Sequence, residues 1–363
     1  GIRWLIGVRI LQGIGGALMF GTNMAILTSV FPPGERGRAM GINVTAVYVG
    51  LASGPFLGGL LTRYLGWRSI FAFLIPMGII SLILIRRKMK QEWAEAKGES
   101  FDWTGAVIYG VSIAALMYGF SKLPSAAGWV ITVSGLLLMP LFVIREKRAM
   151  HPLFDITLIS KNRVFAFSSL AALIHYAATS AIGFFLSLFL QYIKDLGPRD
   201  AGFVLMSWPL TMALISPAAG KLSDRHNPGV LASIGMAITS VALIILCFLN
   251  AGTSVALIVI VLVIMGAGFS LFSSPNSNAI MSSVEKRQLG NASGMLGTMR
   301  NVGQTFSMAI ALMLLALYMG QEKINPGNYP QLMNSMKSGF IVFSVLCFAG
   351  IFASLARNKS LRK

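Results

Sequence analysis

Charge is scarce in this sequence. Asp, Glu, Lys and Arg make up 12% of its 363 residues, where a soluble domain carries roughly 25%, so water is excluded as the chain's main solvent. Acidic residues are scarcer still, with 12 Asp and Glu against 30 Lys and Arg. All of them lie in loops or near the ends of apolar runs, so none falls well inside such a run. The two cysteines, Cys247 and Cys347, each sit inside an apolar run. There they read as small buried hydrophobes rather than as a disulfide or metal ligands, and neither metal nor cofactor is expected. The signatures H-E-x-x-H, G-x-S-x-G and G-x-x-x-x-G-K-[ST] are missing, which removes zinc peptidase, serine hydrolase and ATP-driven pump and predicts that the chain is not an enzyme. It opens on Gly1 and enters an apolar stretch at once, without the short core and cleavage site of a secretory signal. Its start therefore reads as internal.

What the sequence does have is apolar length. Some 55% of residues are hydrophobic, and runs of about 20 such residues span a bilayer as helices. Eleven spans are predicted, near 2–29, 39–62, 69–85, 103–121, 129–144, 164–192, 201–220, 229–250, 254–283, 289–319 and 337–356. Turn-rich pieces such as Phe31-Pro32-Pro33-Gly34 and Asn325-Pro326-Gly327-Asn328 connect them. Trp4, Trp67, Trp103 and Trp129 fall near span ends, where an interfacial belt places them. Of the 30 basic residues, 20 lie in alternate loops, including Arg36 and Arg38, Arg86 to Lys97, Arg145 to Arg163, Lys221 and Arg225, Lys286 and Arg287, and Arg357 to Lys363. The opposite set, Arg3, Arg63, Arg68, Lys122, Lys194, Arg199, Lys323 and Lys337, holds 8. The positive-inside rule then puts the first set and the C-terminus in the cytoplasm, and Gly1 outside. The formal charge of +18 thus reports topology, and nucleic acid is not an expected partner. The lipid bilayer is.

Two stretches repeat. Gly13-Ile14-Gly15 has Asn23 ten residues after its first glycine, and Gly266-Ala267-Gly268 has Asn276 at the same interval. Each pair of spans then turns through an acidic-basic step, Glu35-Arg36 or Glu285-Lys286. Parallel repeats are one way of building transporters. If the last six spans form one repeat, the first two correspond to the fourth and fifth helices of an earlier one. The expected units are then 1–100 (three spans of an N-terminal bundle), 101–150 (a linking pair) and 151–363 (a C-terminal six-helix bundle), with three helices missing from the front.

This arrangement resembles the major facilitator superfamily, and specifically its fourteen-span drug:H+ antiporter branch. Val8-Arg9-Ile10-Leu11-Gln12-Gly13-Ile14-Gly15 is similar to the family's fourth-helix R-x-x-Q-G-x-G motif. Gly50-Leu51-Ala52-Ser53-Gly54-Pro55-Phe56-Leu57-Gly58-Gly59 resembles the fifth-helix antiporter motif G-x-x-x-G-P-x-x-G-G at every defined position. Gly220-Lys221-Leu222-Ser223-Asp224-Arg225 resembles the G-x-L-x-D-R loop after a repeat's second helix. The resemblance implies an all-α membrane protein with two pseudo-symmetric bundles and a two-helix linker. It also implies a prokaryotic plasma-membrane antiporter that exchanges protons for drugs or other amphipathic small molecules.

On that reading Arg9, Gln12 and Gly13 couple transport to protons, since a fixed cation tunes a nearby protonatable group; otherwise Arg9 snorkels to the outer surface. Gly50, Gly54, Pro55, Gly58 and Gly59 form a hinge or sealed helix contact, or else plain packing. Gly220, Asp224 and Arg225 hold one face shut through charge-assisted contacts, or merely cap a loop. Arg300, beside Asn301 and Gln304, is expected to face a water-filled cavity, together with Asn23, Asn276 and Asn278. His175 is either a proton relay or a packed polar group. Phe184, Phe185, Phe189, Tyr192 and Trp208 offer a surface to hydrophobic cations or face lipid. Uptake of a hydrophilic solute such as a sugar or organic acid is the alternative function, and a chain without transport activity is a further one.

Overall fold

A helix crossing about 30 Å of hydrocarbon needs about 20 residues, and the described residues of the computed structural model form eleven helical segments long and apolar enough to do so. The structure describes residues 2–89, 102–149, 152, 156–320 and 322–357, apart from the side chains of residues 2, 3, 55, 56, 156 and 157. Lys90, Lys97, Lys359, Arg362, Lys363 and the side chain of Arg3 therefore lie outside the described residues, as do the junctions expected at 100/101 and 150/151. Among the described residues there is no strand. The helices are α1 (Ile2–Val30), α2 (Arg36–Leu65), α3 (Arg68–Lys88), α4 (Trp103–Lys122), α5 (Ala126–Glu146), α6 (Ile156–Lys161), α7 (Arg163–Thr179), α8 (Ile182–Leu188), α9 (Pro198–Arg225), α10 (Pro228–Cys247), α11 (Val255–Ser282), α12 (Leu289–Met319) and α13 (Tyr329–Ala356).

Polar residues at the apolar borders set the starts. Asp102, Ser125, Asn162 and Ser254 each accept a backbone N–H from the residue three positions on, at 2.9 to 3.3 Å, satisfying a donor that has no intrahelical partner. Pro198 and Pro228 open α9 and α10, where proline's missing N–H costs nothing. Gly66 (φ +78°) and Gly320 (φ +61°) end α2 and α12 in a conformation that side chains disfavour.

Three expected boundaries shift. The span expected as one helix over 164–192 is α7, a break at Ser180 and Ala181, α8, and a π-helical turn at Phe189–Ile193. At the break the Ala181 N–H leaves the helical ladder and donates to Ser307 Oγ of α12 at 3.0 Å. The last helix begins at Tyr329 rather than 337, and Lys337, expected in a loop, lies within α13. A polar first stretch hid that start from hydropathy. Asp224 and Arg225, also expected in a loop, form the last turn of α9.

The buried core belongs to α7–α13, where Phe165, Phe185, Phe189, Phe340 and Phe343 are fully enclosed. Small residues bring these helices close: a Cβ on Gly268 of α11 would stand 2.7 Å from Thr239 Oγ1 and 2.8 Å from the Gly235 carbonyl of α10. Such approach suits a bilayer, where packing rather than water exclusion joins helices. Helix α3 buries no residue, and α1 exposes Trp4, Ile6, Ile10, Leu11 and Leu18. Rows of that kind are ordinary where the solvent is lipid and a liability in water. Helices α4 and α5 pair through a Ser112 hydroxyl donating to the Gly135 carbonyl (2.7 Å) and an Asp102–Arg145 ion pair (3.1 Å). They lean on α12, where Phe120 meets Phe306 at 5.1 Å. Helix α1 packs against α12 and α2 against α9.

Candidate functional site

A cavity of about 490 Å³ opens between α1, α2, α11 and α12, within the range of small-molecule sites. Its lining follows helical spacing: Gly13, Gly16, Ala17, Phe20, Asn23 and Met24 from α1; Asn43, Val44, Val47 and Tyr48 from α2; Ser273 from α11; Ser293, Leu296, Gly297, Arg300, Asn301 and Gln304 from α12. One face of each long helix thus points inward. Gly13, Gly16 and Gly297 leave the space that larger side chains would fill.

Arg300 is the one charged side chain in this lining. Its guanidinium lies 5.2 Å from the Tyr176 ring centroid, a cation–π placement, and its Nε has no hydrogen-bond partner among the described residues. A cation at such depth costs a few kcal/mol in lipid, and a water-filled cavity relieves that cost. Opposite it, Asn23 and Asn43 exchange two amide hydrogen bonds, each 3.3 Å. Each amide keeps one further donor and acceptor for a guest.

At one end of the molecule α2 crosses α9. Asp224 accepts the backbone N–H groups of Gly37 (2.7 Å) and Arg38 (2.8 Å), the first turn of α2. A carboxylate at a helix N-terminus gains both the bonds and the helix dipole. The crossing is tight. A Cβ on Gly220 would overlap the Gly37 carbonyl, and one on Gly41 would overlap the Ser216 carbonyl and stand 3.0 Å from Pro217 Cα. Thr45 Oγ1 continues the stripe, donating to the Ala213 carbonyl at 3.0 Å.

The other expected residues are placed as follows. Asn23, Gly13, Arg300 and Gln304 share the cavity. Arg9 and Gln12 do not line it; both are exposed, bonded to each other at 2.9 Å, with Arg9 5.0 Å from the Phe71 ring centroid. Gly50, Gly54, Gly58 and Gly59 lie in α2 with no described atom, beyond their own turn of helix and chain neighbours, within 4 Å of where a Cβ would stand. Pro55 is in the same helix, but its side chain is outside the described residues. Arg225 is exposed beside Asp224. His175 is fully buried, stacked 4.0 Å from Phe272 and 4.8 Å from Phe269, with neither ring nitrogen bonded among the described residues. Asn276 donates to the Ser168 carbonyl (3.1 Å) and accepts from Arg357 (2.7 Å). Asn278 donates to Ser223 Oγ at 3.0 Å. None of these three lines the cavity, nor do Phe184, Phe185, Phe189, Tyr192 or Trp208.

Sequence reasoning passed over Asn43, Tyr48 and the Gly37/Gly41 pair. Asn43 had the same signal as Asn23, an amide inside an apolar run. Gly37-x-x-x-Gly41 is a small-residue spacing that announces close helix contact. Arg357 was counted only as a loop charge, yet it is 1% exposed. It donates to Ser168 Oγ, Asn276 Oδ1, the Gly229 carbonyl and Ser354 Oγ at 2.6 to 2.8 Å, tying α13 to α7, α10 and α11. Burial pushes its pKa down to about 10, which leaves it charged at neutral pH.

Long apolar helices around a polar cavity, with a close helix crossing at one end, describe a multi-pass membrane transporter. The Major Facilitator Superfamily model matches residues 1–308 and 168–362, and the chain belongs to that family, whose members transport small molecules and are not enzymes. The riboflavin transporter RibZ of Clostridioides difficile (strain 630) is 29% identical over 97% of this chain and 76% of its own length. The multidrug resistance protein Stp of Mycobacterium tuberculosis (strain ATCC 25618 / H37Rv) is 29% identical over 88% of this chain, which covers 60% of that protein. The tetracenomycin C resistance and export protein of Streptomyces glaucescens is 28% identical over 90% of this chain and 62% of its own length. Among solved structures, the nucleoside transporter NupG matches 94% of this chain and 87% of its own at 13% identity and a TM-score of 0.48.

Proposed function

We propose that this chain belongs to the fourteen-span drug:H+ antiporter branch and exports small amphipathic compounds across a bacterial plasma membrane in exchange for protons. The observation that carries the proposal is the cavity between α1/α2 and α11/α12, next to a crossing of α2 and α9 held by Asp224. Such an arrangement suits alternating access, in which one face is shut while the site is open to the other. The Asp224 end carries Arg36, Arg38 and Arg225, so the positive-inside rule makes it cytoplasmic, with the C-terminus on the same side. Opening toward the cytoplasm then requires breaking the two Asp224 bonds and parting Gly37 and Gly41 from Gly220 and Ser216. Phe20, Met24, Asn23, Arg300 and Gln304 contact the substrate. Arg9, Gln12 and Gly13 serve proton coupling, and Gly50, Gly54, Pro55, Gly58 and Gly59 limit leak. His175 and Asn276 support the bundle by packing and by anchoring Arg357. The relatives named for drug resistance and export support the direction of transport.

The test is loss of efflux of a fluorescent amphipathic dye from energised cells when an ionophore collapses the proton gradient. Efflux that persists overturns the coupling. A second reading, uptake of a hydrophilic solute, is favoured by the four amides Asn23, Asn43, Asn301 and Gln304 that share one lining with Arg300. Sugar or organic acid accumulation in proteoliposomes, with no dye efflux, would decide for it.

A further inference from the structure

The cavity is asymmetric in charge. It holds the Arg300 guanidinium, whose Nε is unpartnered among the described residues, and no described carboxylate among its lining residues. Its other polar groups are neutral amides and hydroxyls, and Phe20, Met24, Val44 and Val47 form an apolar wall. We infer that the substrates are amphipathic organic anions, carboxylate- or phenolate-bearing molecules with a flat apolar body, and that Arg300 sets the selection against cations. This rests on the transport reading of the same cavity.

Chemistry and magnitude agree on the direction. A guanidinium presents a planar fork of donors that fits a carboxylate, and Arg300 brings that fork to the cavity lining. Asn301 and Gln304, one position and about one turn along α12, add uncharged N–H donors for the remaining lone pairs. For a substrate charge about 6 Å from the guanidinium at an effective dielectric of about 20, the interaction is worth about a hundredfold in affinity. It acts in favour of an anion and against a cation. The apolar wall suits the substrate's body equally well in either case, so the charged group decides.

The experiment compares fluorescein, an anion, with rhodamine 6G, a cation on the same xanthene ring. Equilibrium binding is measured by fluorescence polarisation to the purified full chain in detergent. The wild type is expected to bind fluorescein at least tenfold more tightly than rhodamine 6G. Arg300→Gln should bring the ratio to near one, Arg300→Glu should invert it, and Arg300→Lys should keep the anion preference. Inversion by the glutamate variant is a gain of cation binding that loss of folding cannot mimic. The lysine variant keeps the test valid if removing the charge unfolds the protein. Equal binding of both dyes by the wild type, binding of neither, or a preference unmoved by Arg300→Gln and Arg300→Glu overturns the inference. Proton-driven movement of both dyes in vesicles is read separately. Anion-selective binding without transport leaves the inference standing and defeats the transport reading. Driven transport of rhodamine 6G with exclusion of fluorescein does the opposite.

Discussion

Replacing Asp224 by Ala removes the acceptor that joins α9 to the first turn of α2. The bonds lost, to the Gly37 N–H at 2.7 Å and the Arg38 N–H at 2.8 Å, are charge-assisted, and bonds of that kind contribute about 1.5–3 kcal/mol each. Arg38 is exposed and Gly37 is buried. Water therefore replaces the acceptor at Arg38, while the Gly37 donor is left without a partner. The expected cost to the closed crossing is about 3 kcal/mol, on the order of a hundredfold in the ratio of closed to open molecules. A protein that is about 99% closed would become about half open. Asp224→Asn keeps one acceptor oxygen and drops the charge, so it should lie midway. The assay is a pulsed electron-spin distance measurement between labels on Pro33→Cys and His226→Cys, exposed positions near the joined ends, with Cys247→Ser and Cys347→Ala removing background labelling. Wild type should show one short distance, and Asp224→Ala should add a longer population that Asp224→Asn shows more weakly. If both variants keep the wild-type distribution, the Asp224 bonds do not hold this end shut.

Gly41→Leu should act in the same direction through sterics, because even its Cβ would overlap the Ser216 carbonyl, and the same distance measurement should show α2 displaced from α9. Gly54→Ala meets no described atom within 4 Å and should leave the melting temperature unchanged, which a thermal shift scan in detergent checks. Arg357→Ala removes four buried hydrogen bonds and should destabilise the chain by about 4 kcal/mol. Arg357→Lys should recover only part of this, since an ammonium cannot span the planar fork. His175→Leu removes two buried ring nitrogens that have no hydrogen-bond partner among the described residues, and because an unsatisfied polar group costs about 1–3 kcal/mol it should hold or raise the melting temperature. A stable His175→Leu protein with abolished transport would show that the imidazole is more than packing.

Much of the fold was legible because the bilayer simplifies the code. Twenty apolar residues can do little else but cross it as a helix, and eleven such segments appear both in the sequence and among the described residues of the structure. What hydropathy could not register was local. The break at Ser180 depends on Ser307, far along the chain, offering its hydroxyl to the Ala181 N–H. The early start of α13 is masked by Asn334, Ser335 and Lys337, which lower mean hydropathy without breaking a helix. The site divided along the same line. Arg300, Gln304 and Asn23, which line the cavity, stand out in the sequence because a polar group inside an apolar run needs a polar surrounding. That rule does not say which surrounding, and His175 and Asn276 obey it by packing and by binding Arg357 rather than by facing the cavity.

Helix α2 links the two working parts of the molecule. Gly37, Gly41 and Thr45 recur every four residues and form the stripe against α9. Asn43, Val44, Val47 and Tyr48 line the cavity from another side of the same helix. Turns of a helix this long are mechanically coupled, so a displacement at Tyr48, whose ring rests edge-on 6.0 Å from Phe269 of α11, is transmitted to Gly41 less than two turns away. A ligand shifts an equilibrium only by the difference in its affinity for the two states. To unseat a crossing worth about 3 kcal/mol at Asp224 alone, the guest must gain about a hundredfold when α2 moves. An ionic contact to Arg300 of α12 is an effect of that size, but it shifts the equilibrium only by the part that differs between the two states, so coupling through it requires the contact to form in one state and be lost in the other.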